Sequence, residues 1–268
     1  MSKIGYESRV GLAVMDAQTL HLGHIGLLRA MIDAAPYQIV ALGSANLHGR
    51  LGHPFTFEQR IEMIEHVFGA NVFHFVPLKD IDAAADNDDW ANYVLRKISG
   101  MGLPTPTDYF SGSEIDALWY ESAFCALRPQ TRAYPDEIAT WSHHNPGLIT
   151  HVDRKTGKRV HIINRAVNGI PSGREIRFLI ERRDDRWRAF VPVSLHHFID
   201  WNYPPHLRQD IVGDFPPDAS SLPIGTRFRS SASAFPDNVV LEIKDDLQWR
   251  PNRLDEKAEY ALNRQKGI

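Results

Sequence analysis

The stretch HLGHIGLLRAM, residues 21–31, sets two histidines three residues apart with a glycine between them, then runs on in apolar residues at helical spacing. Upstream, SRVGLAVM (8–15) is short, apolar and β-branched. Downstream, YQIVALGSA (37–45) is a near-continuous apolar run ending in small residues, as a buried parallel strand does. The histidines therefore fall in the turn between a first strand and a first helix. The alternation continues. PFTFEQRIEMIEHVF (54–68) has Pro54 and Thr56 as helix-start signals and Ile61, Ile64 and Val67 on one face. VFHFVPL (72–78) reads as a third strand, DDWANYVLRKI (88–98) as a helix opened by acidic residues, and TDYFSGSE (107–114) as a fourth strand entering a small-residue turn. Strand and helix alternating over short connections predict an α/β fold, a doubly wound, Rossmann-like parallel sheet with right-handed crossovers on both faces. In such sheets ligands bind beyond the carboxyl ends of the strands, where strand order reverses. The turns LGSAN and FSGSE mark that edge.

The region 121–171 breaks the pattern. LRPQTRAYPDEIATWSHHNPG (127–147) is loop-like, and LITHVDRKTGKRVHIIN (148–164) predicts a β-hairpin turning at RKTG, together an insertion in the domain. SGREIRFLIERR (172–183) and VPVSLHHFIDW (191–201) return to helix. The expected organisation is one α/β domain over residues 1–200 and a proline- and serine-rich C-terminal extension over 201–268. NVVLEIKDD and RLDEKAEYALNRQ leave that extension open between a packed strand and helix and a partly ordered tail.

Composition narrows the partners. The 268 residues are 43% hydrophobic and 24% charged, with a net charge of -3, so no basic face invites nucleic acid or a membrane surface. Any anionic ligand must be gripped by a few placed cations. One cysteine, Cys125, excludes an internal disulfide, suits a reducing compartment, and reads as an inert buried thiol among apolar neighbours. The first ten residues lack an apolar core of signal-peptide length, and no apolar run approaches the roughly 20 residues of a membrane span. The expectation is a cytoplasmic protein.

Three readings of the histidine turn stand side by side. A zinc site needs a third ligand; no helical HExxH is present, and neither HHNP at His143 nor LHHF at His196 and His197 has metal-site spacing. Two core histidines are the bland alternative. The third reading is a phosphate site: a helix N-terminus offers free N–H groups and a positive dipole, Gly23 allows close approach, and two imidazoles add donors. SGREIRFLI (172–180) supplies a second helix start, with Ser172 and Gly173 at its opening and Arg174 and Arg177 in its first turn. Taken alone it is equally a capped surface helix with solvated arginines. Paired with the histidine turn, it frames a polyphosphate from the other side.

These residues resemble a known family. HLGH is similar to the HxGH signature of the nucleotidyltransferases, and SGREIR to their second signature, a Ser/Gly/Thr turn followed by Ile-Arg. The closer resemblance is to archaeal-type nicotinamide-nucleotide adenylyltransferases. GSANLHGRLGHPFTFEQRI (43–61) matches their GSA strand end and NPFT helix start, with His53 at the Asn position. DNDDWANYV (86–94) is similar to the segment whose tryptophan stacks on the nicotinamide ring, and WRAFVP (187–192) to their tryptophan-to-Val-Pro element. Residues from about 10 to 199 carry the resemblance. Where the family opens with Gly-Arg-Phe-Gln-Pro, this chain has MDAQT (15–19), keeping Gln18 and placing Asp16 at the phosphate-binding arginine; Arg174 stands at the second-signature Thr. The extension shows no glutamate-rich Nudix box.

The resemblance implies an HxGH nucleotidyltransferase fold and transfer of the adenylyl group of ATP to nicotinamide mononucleotide, giving NAD and pyrophosphate by in-line attack without a covalent intermediate. His21, His24 and Arg177 are the implied catalytic residues. Gln18, Gly23, Ser172, Gly173 and Arg174 would bind ATP, and Gly43, Ser44, Trp90, Ser111 and Gly112 the acceptor. No protein metal site is implied, Mg²⁺ being carried mainly by substrate phosphates. A homo-oligomer is expected. The alternatives are another adenylyl- or cytidylyltransferase, with a phosphopantetheine or phospho-alcohol acceptor, and a non-catalytic nucleotide-binding protein, suggested by Asp16. For the swapped charges, the expectation is that Arg174 replaces the missing cation while Asp16 orients Arg174 or positions Mg²⁺ through water. The bland reading has Arg174 in solvent and Asp16 capping a turn.

Overall fold

A computed structural model describes residues 5–80, 87–112, 148–153, 156–163, 169–231 and 240–251. The first half alternates as expected: β1 (Val10–Met15), α1 (Leu22–Ala34), β2 (Tyr37–Leu42), α2 (Phe57–Phe68), β3 (His74–Pro77), α3 (Asn87–Gly100) and β4 (Asp108–Ser111). The hairpin follows as β5 (Leu148–Val152) and β6 (Arg159–Ile163), then α4 (Gly173–Glu181) and α5 (His196–Asn202). Only the second half of VPVSLHHFIDW is α-helix; Val193–Leu195 form a 3-10 turn ahead of it.

Six strands form one sheet in the order β3-β2-β1-β4-β6-β5, parallel throughout except for β5. This is the doubly wound arrangement, reversing between β1 and β4. The hairpin at 148–164 is present, and its second strand does more than close it. Tyr109 registers with Val160 and Phe110 with His161, so β6 is the fifth parallel strand of the main sheet.

Side chains alternate across the sheet as a strand's period of two demands. Ala13, Val40, Leu42, Phe110 and Ile163 face one core, shared with α1, α2, α4 and α5. Leu12, Ile39, Ala41, Tyr109 and Val160 face the other, shared with α3. The helix-to-sheet contact is closest at Gly11, where a Cβ would lie 2.6 Å from Met31 Cγ. At the amino edge, Arg9 Nη1 donates to both oxygens of Asp108 (3.0 and 2.9 Å). His161 Nε2 bonds Asp108 Oδ1 (3.0 Å), and its Nδ1 bonds Thr150 (2.9 Å). This buried network ties together the residue before β1, β4, β6 and β5.

Over its described part the extension is no tail, and NVVLEIKDD supplies the expected strand, though within a larger sheet. The extension forms a second, four-stranded sheet of order β10-β9-β8-β7, from β7 (Ile211–Gly213), β8 (Arg227–Ser230), β9 (Val240–Ile243) and β10 (Trp249–Pro251). Phe228, Leu241, Ile243 and Trp249 give it a core of its own. RLDEKAEYALNRQ, Cys125 and the HHNP histidines lie outside the described residues. No helix among the described residues is long and apolar enough to cross a membrane.

Candidate active site

A cavity of about 490 Å³ opens at the carboxyl ends of β1, β2, β4 and β6, the edge where the strand order reverses. It gathers residues far apart in sequence: Gln18, His21, Gly23, His24, Gly43, Ser44, Trp90, Ser111, Gly112, Ser172, Gly173, Arg174 and Arg177 all line it.

The histidine turn is built by its own hydrogen bonds. His21 is the N-cap of α1, and His24 is the helix's third residue. The Gly23 N–H donates to His21 Nδ1 (3.1 Å), and the His21 N–H to His24 Nδ1 (3.5 Å), so two imidazoles serve as a capping box. Assigned from these bonds, each neutral ring carries its proton on Nε2. The rings lie 3.9 Å apart. Gly23 is required because a Cβ there would lie 2.9 Å from His21 Cε1.

The second helix start comes close to the first. Ser172 caps α4, its hydroxyl accepting from Glu175 N–H while the Glu175 carboxylate accepts from Ser172 N–H at 2.7 Å. A Cβ placed on Gly173 would lie 3.6 Å from His21 Nε2 and 3.3 Å from Arg177 Nη1. The α1 and α4 N-termini therefore open onto one space, His21 Nε2 beside one and a guanidinium beside the other. Among the described residues no group of three His, Cys, Asp or Glu side chains is placed to hold a metal ion, so the zinc alternative finds no third ligand there.

Asp16 has other partners than expected. Its Oδ1 lies 3.5 Å from Arg60 Nη1 and 3.8 Å from His53 Nδ1, not on Arg174, which is exposed at the cavity's rim. The expected Asp16–Arg174 orientation is thus corrected. Arg174 lies beyond the cap of α4, whereas Arg60 reaches Asp16 from inside the fold. Burial raises the Asp16 carboxyl above its ordinary range, against the pull of His53, Arg60 and Arg177.

Arg60 is the residue that sequence reasoning passed over. It is fully buried, and its Nη1 donates to the carbonyls of Asp16 and Gly43 at 2.7 Å each, its Nε to Thr56 at 3.3 Å. It clamps the loops after β1 and β2 to the start of α2, where Thr56 and Gln59 form a further capping box. Ala17 and Ser44, in those two loops, hold φ of 46° and 49°, a left-handed backbone uncommon outside glycine. Gln18 is also buried; its Oε1 accepts from Phe55 N–H (3.0 Å), which fixes the PFT segment against the cavity. Asp80, likewise unforeseen, lines the cavity and accepts from Ser44 Oγ at 2.8 Å. Trp90 is half-buried on α3, packed against Tyr93 at 5.5 Å and facing the cavity. Trp187 of WRAFVP lies outside this cavity and is buried behind α4.

Residues 17–97 match the cytidylyltransferase-like family model. The nicotinamide-nucleotide adenylyltransferase of Methanocorpusculum labreanum is 29% identical over 45% of this chain and 69% of its own length. That of Methanolobus tindarius is 27% identical over 42% of this chain and 62% of its own. The crystal structure of NadR protein in complex with NAD and AMP-PNP aligns over 76% of this chain and 48% of its own at 12% identity. Its TM-score is 0.43. The segment 17–97 is thus similar to the cytidylyltransferase-like family, and the relatives support an enzyme of the nucleotidyltransferase kind.

Proposed function

We propose that the chain transfers the adenylyl group of ATP to nicotinamide mononucleotide, forming NAD and releasing pyrophosphate. The observation that carries this reading is the meeting of two helix N-termini in one cavity, with His21 and His24 at α1 and Arg177 at α4. Helix N-termini bind phosphate through free N–H groups and the helix dipole, and the neutral Nε2–H donors and a guanidinium extend that grip along a triphosphate. The names of the relatives supply the acceptor.

The mononucleotide's 5′-phosphate is already anionic and attacks the α-phosphorus in line. The α-phosphorus–oxygen bond to the β-phosphate breaks, and pyrophosphate leaves with the electron pair. No general base or covalent intermediate is required, so catalysis is alignment and charge stabilisation. His21 and His24 hold oxygens near the α-phosphate; Arg177 and the Gly173 N–H hold the β- and γ-phosphates, with Arg174 adding charge at the rim. Ser172, its N–H taken by Glu175, shapes the helix start instead of donating to phosphate as expected. Gly43, Ser44, Ser111 and Gly112 flank the nucleosides at the strand ends. Trp90 offers its face to the nicotinamide ring.

Mg²⁺ fits this lining as a cation carried by substrate oxygens, for which the cavity's own carboxylates, Asp16 and Asp80, are the side chains that would meet its water shell. When bound it would neutralise phosphate charge and favour the leaving pyrophosphate.

The test is a substrate matrix: ATP and CTP, each against nicotinamide mononucleotide, phosphopantetheine and a phospho-alcohol, scored as pyrophosphate. Release with ATP and nicotinamide mononucleotide alone supports the proposal. Preference for CTP moves the chain to the cytidylyltransferases, and no release with any pair makes it a nucleotide-binding protein.

A further inference from the structure

A second cavity, of about 580 Å³, lies between the C-terminal half of α4, the 3-10 turn Asp185–Phe190, α5 and the turn Ala219–Ser221 that leads into the small sheet. That volume suits a small organic ligand, for which sites span roughly 300–1,000 Å³. Its ionisable lining is Arg183, Arg188 and Arg208 against Asp185 and Asp200, with His197 beside them.

The two carboxylates serve Arg188 first and leave Arg183 and Arg208 under-compensated. Arg188 is paired on two sides, its Nε donating to Asp185 Oδ1 at 3.1 Å and its Nη2 to Asp200. Asp200 is shared between Arg188 at 2.5 Å and Arg208 at 3.9 Å. Arg208 is 9% exposed; its Nη2 donates to the Ile199 carbonyl, but its Nε meets no hydrogen-bond acceptor among the described residues, and neither does Arg183 Nη2. Burial, and then the neighbouring Arg183, push the Arg208 guanidinium down to about 10, the effect expected where like charges crowd. Beside this cluster Trp201 is half exposed and lies near-parallel to His197, at 7° and 6.2 Å between centroids. An open indole next to crowded guanidiniums suits an anion that carries a flat ring.

We propose that this cavity binds a mononucleotide-sized phosphate ester, the phosphate held by Arg208, Arg183 and Arg188 and the base laid against Trp201. Guanidiniums fork onto phosphate oxygens, and a bound dianion relieves the repulsion between Arg183 and Arg208 while Arg188 keeps its own carboxylates. The site is separate from the first cavity: Ser172 to Arg177 line that one, whereas Ile180 and Arg183, further along the same segment, line this one.

The test is equilibrium dialysis of labelled AMP against the intact chain carrying His24→Ala and Arg177→Ala, which disable the first cavity as a phosphate site. One saturable equivalent is expected. Trp201→Ala and Arg188→Gln should each weaken it by about tenfold or more, on the scale of one lost charge-assisted or stacking contact. Ribose 5-phosphate, without the base, and adenosine, without the phosphate, should both bind more weakly. Arg208→Gln is the sharpest variant; because it is buried, the partly exposed Trp201 and Arg188 decide if it fails to fold. No saturable binding, binding unchanged by both partly exposed variants, or adenosine binding as well as AMP overturns the proposal. Dialysis reads binding alone, so this outcome is independent of whether the chain transfers adenylyl groups.

Discussion

Replacing Gly23 by alanine separates the geometry of the site from the stability of the fold. The added Cβ would lie 2.9 Å from His21 Cε1 and 3.0 Å from Nδ1, so the imidazole must swing away. That movement breaks the 3.1 Å bond from the Gly23 N–H which caps α1. Losing a cap costs about 0.5–2 kcal/mol, and exchanging a helical glycine for alanine returns up to about 1 kcal/mol. The net change lies between about -0.5 and +2 kcal/mol, a shift in Tm of no more than about 8 °C for a chain of this size. Function responds differently, because the displaced ring carries the Nε2 donor away from Gly173 and Arg177. A lost preorganised donor costs about 3 kcal/mol, or about two orders of magnitude in kcat. Pyrophosphate release and thermal unfolding of the same preparation decide the matter. Turnover within about threefold of wild type, a barrier change of only about 0.7 kcal/mol, would refute the assigned role of His21's orientation.

Other outcomes follow from the same contacts. Arg60→Leu strips a half-exposed carboxylate neighbour and four carbonyls of their donor and should destabilise the chain by about 3–5 kcal/mol in denaturant unfolding, with KM for ATP rising as the loops after β1 and β2 loosen; a loss under about 1 kcal/mol would show the clamp to be dispensable. Asp108→Asn leaves Arg9 without its buried counter-charge and should cost a similar amount, about 3–5 kcal/mol. In the wild type, burial opposes the Asp108 carboxylate, but bonds from His161 and Thr107 and the charge of Arg9 hold it below the ordinary range. Its contribution is therefore present above the unfolded carboxylate value and lost as pH falls through the folded one. His161 is lowered by burial, against the pull of Asp108, so acidification below about 6.5 also favours the unfolded chain, which takes up that proton more readily. Stability measured from pH 7 down to 3 should fall throughout and fall less steeply in Asp108→Asn; equal slopes would place the acid sensitivity elsewhere. Trp90→Ala should raise KM for nicotinamide mononucleotide far more than for ATP, and equal effects on both would mark the indole as packing alone.

The main sheet was readable because its signals are local. Thr56 and Ser172 announce the helices they cap, the apolar runs at 10–15 and 37–42 are dense enough to be buried strands, and a glycine between two histidines has few uses other than a tight helix start. What escaped was non-local. The hairpin's own pairing is written in 148–164, but β6 lying parallel to β4 is fixed by a register across about fifty residues, which no local pattern encodes. Apart from the strand in NVVLEIKDD, the small sheet has strands of three or four residues separated by proline and serine, too short for periodicity to show. Arg60 reads as one more charge on an amphipathic helix; only the fold reveals that its side chain turns inward onto the Asp16 and Gly43 carbonyls. Asp16 then follows, since only the fold brings its partner Arg60 to it.

The central claim is that phosphate is gripped where the N-termini of α1 and α4 meet, and kcat for pyrophosphate release in His24→Ala and Arg177→Ala tests it most directly. With ATP and nicotinamide mononucleotide saturating, wild type should turn over, and each variant should be slower by roughly two orders of magnitude while unfolding as cooperatively as wild type. Two variants that fold normally and keep near-wild-type kcat would contradict the account.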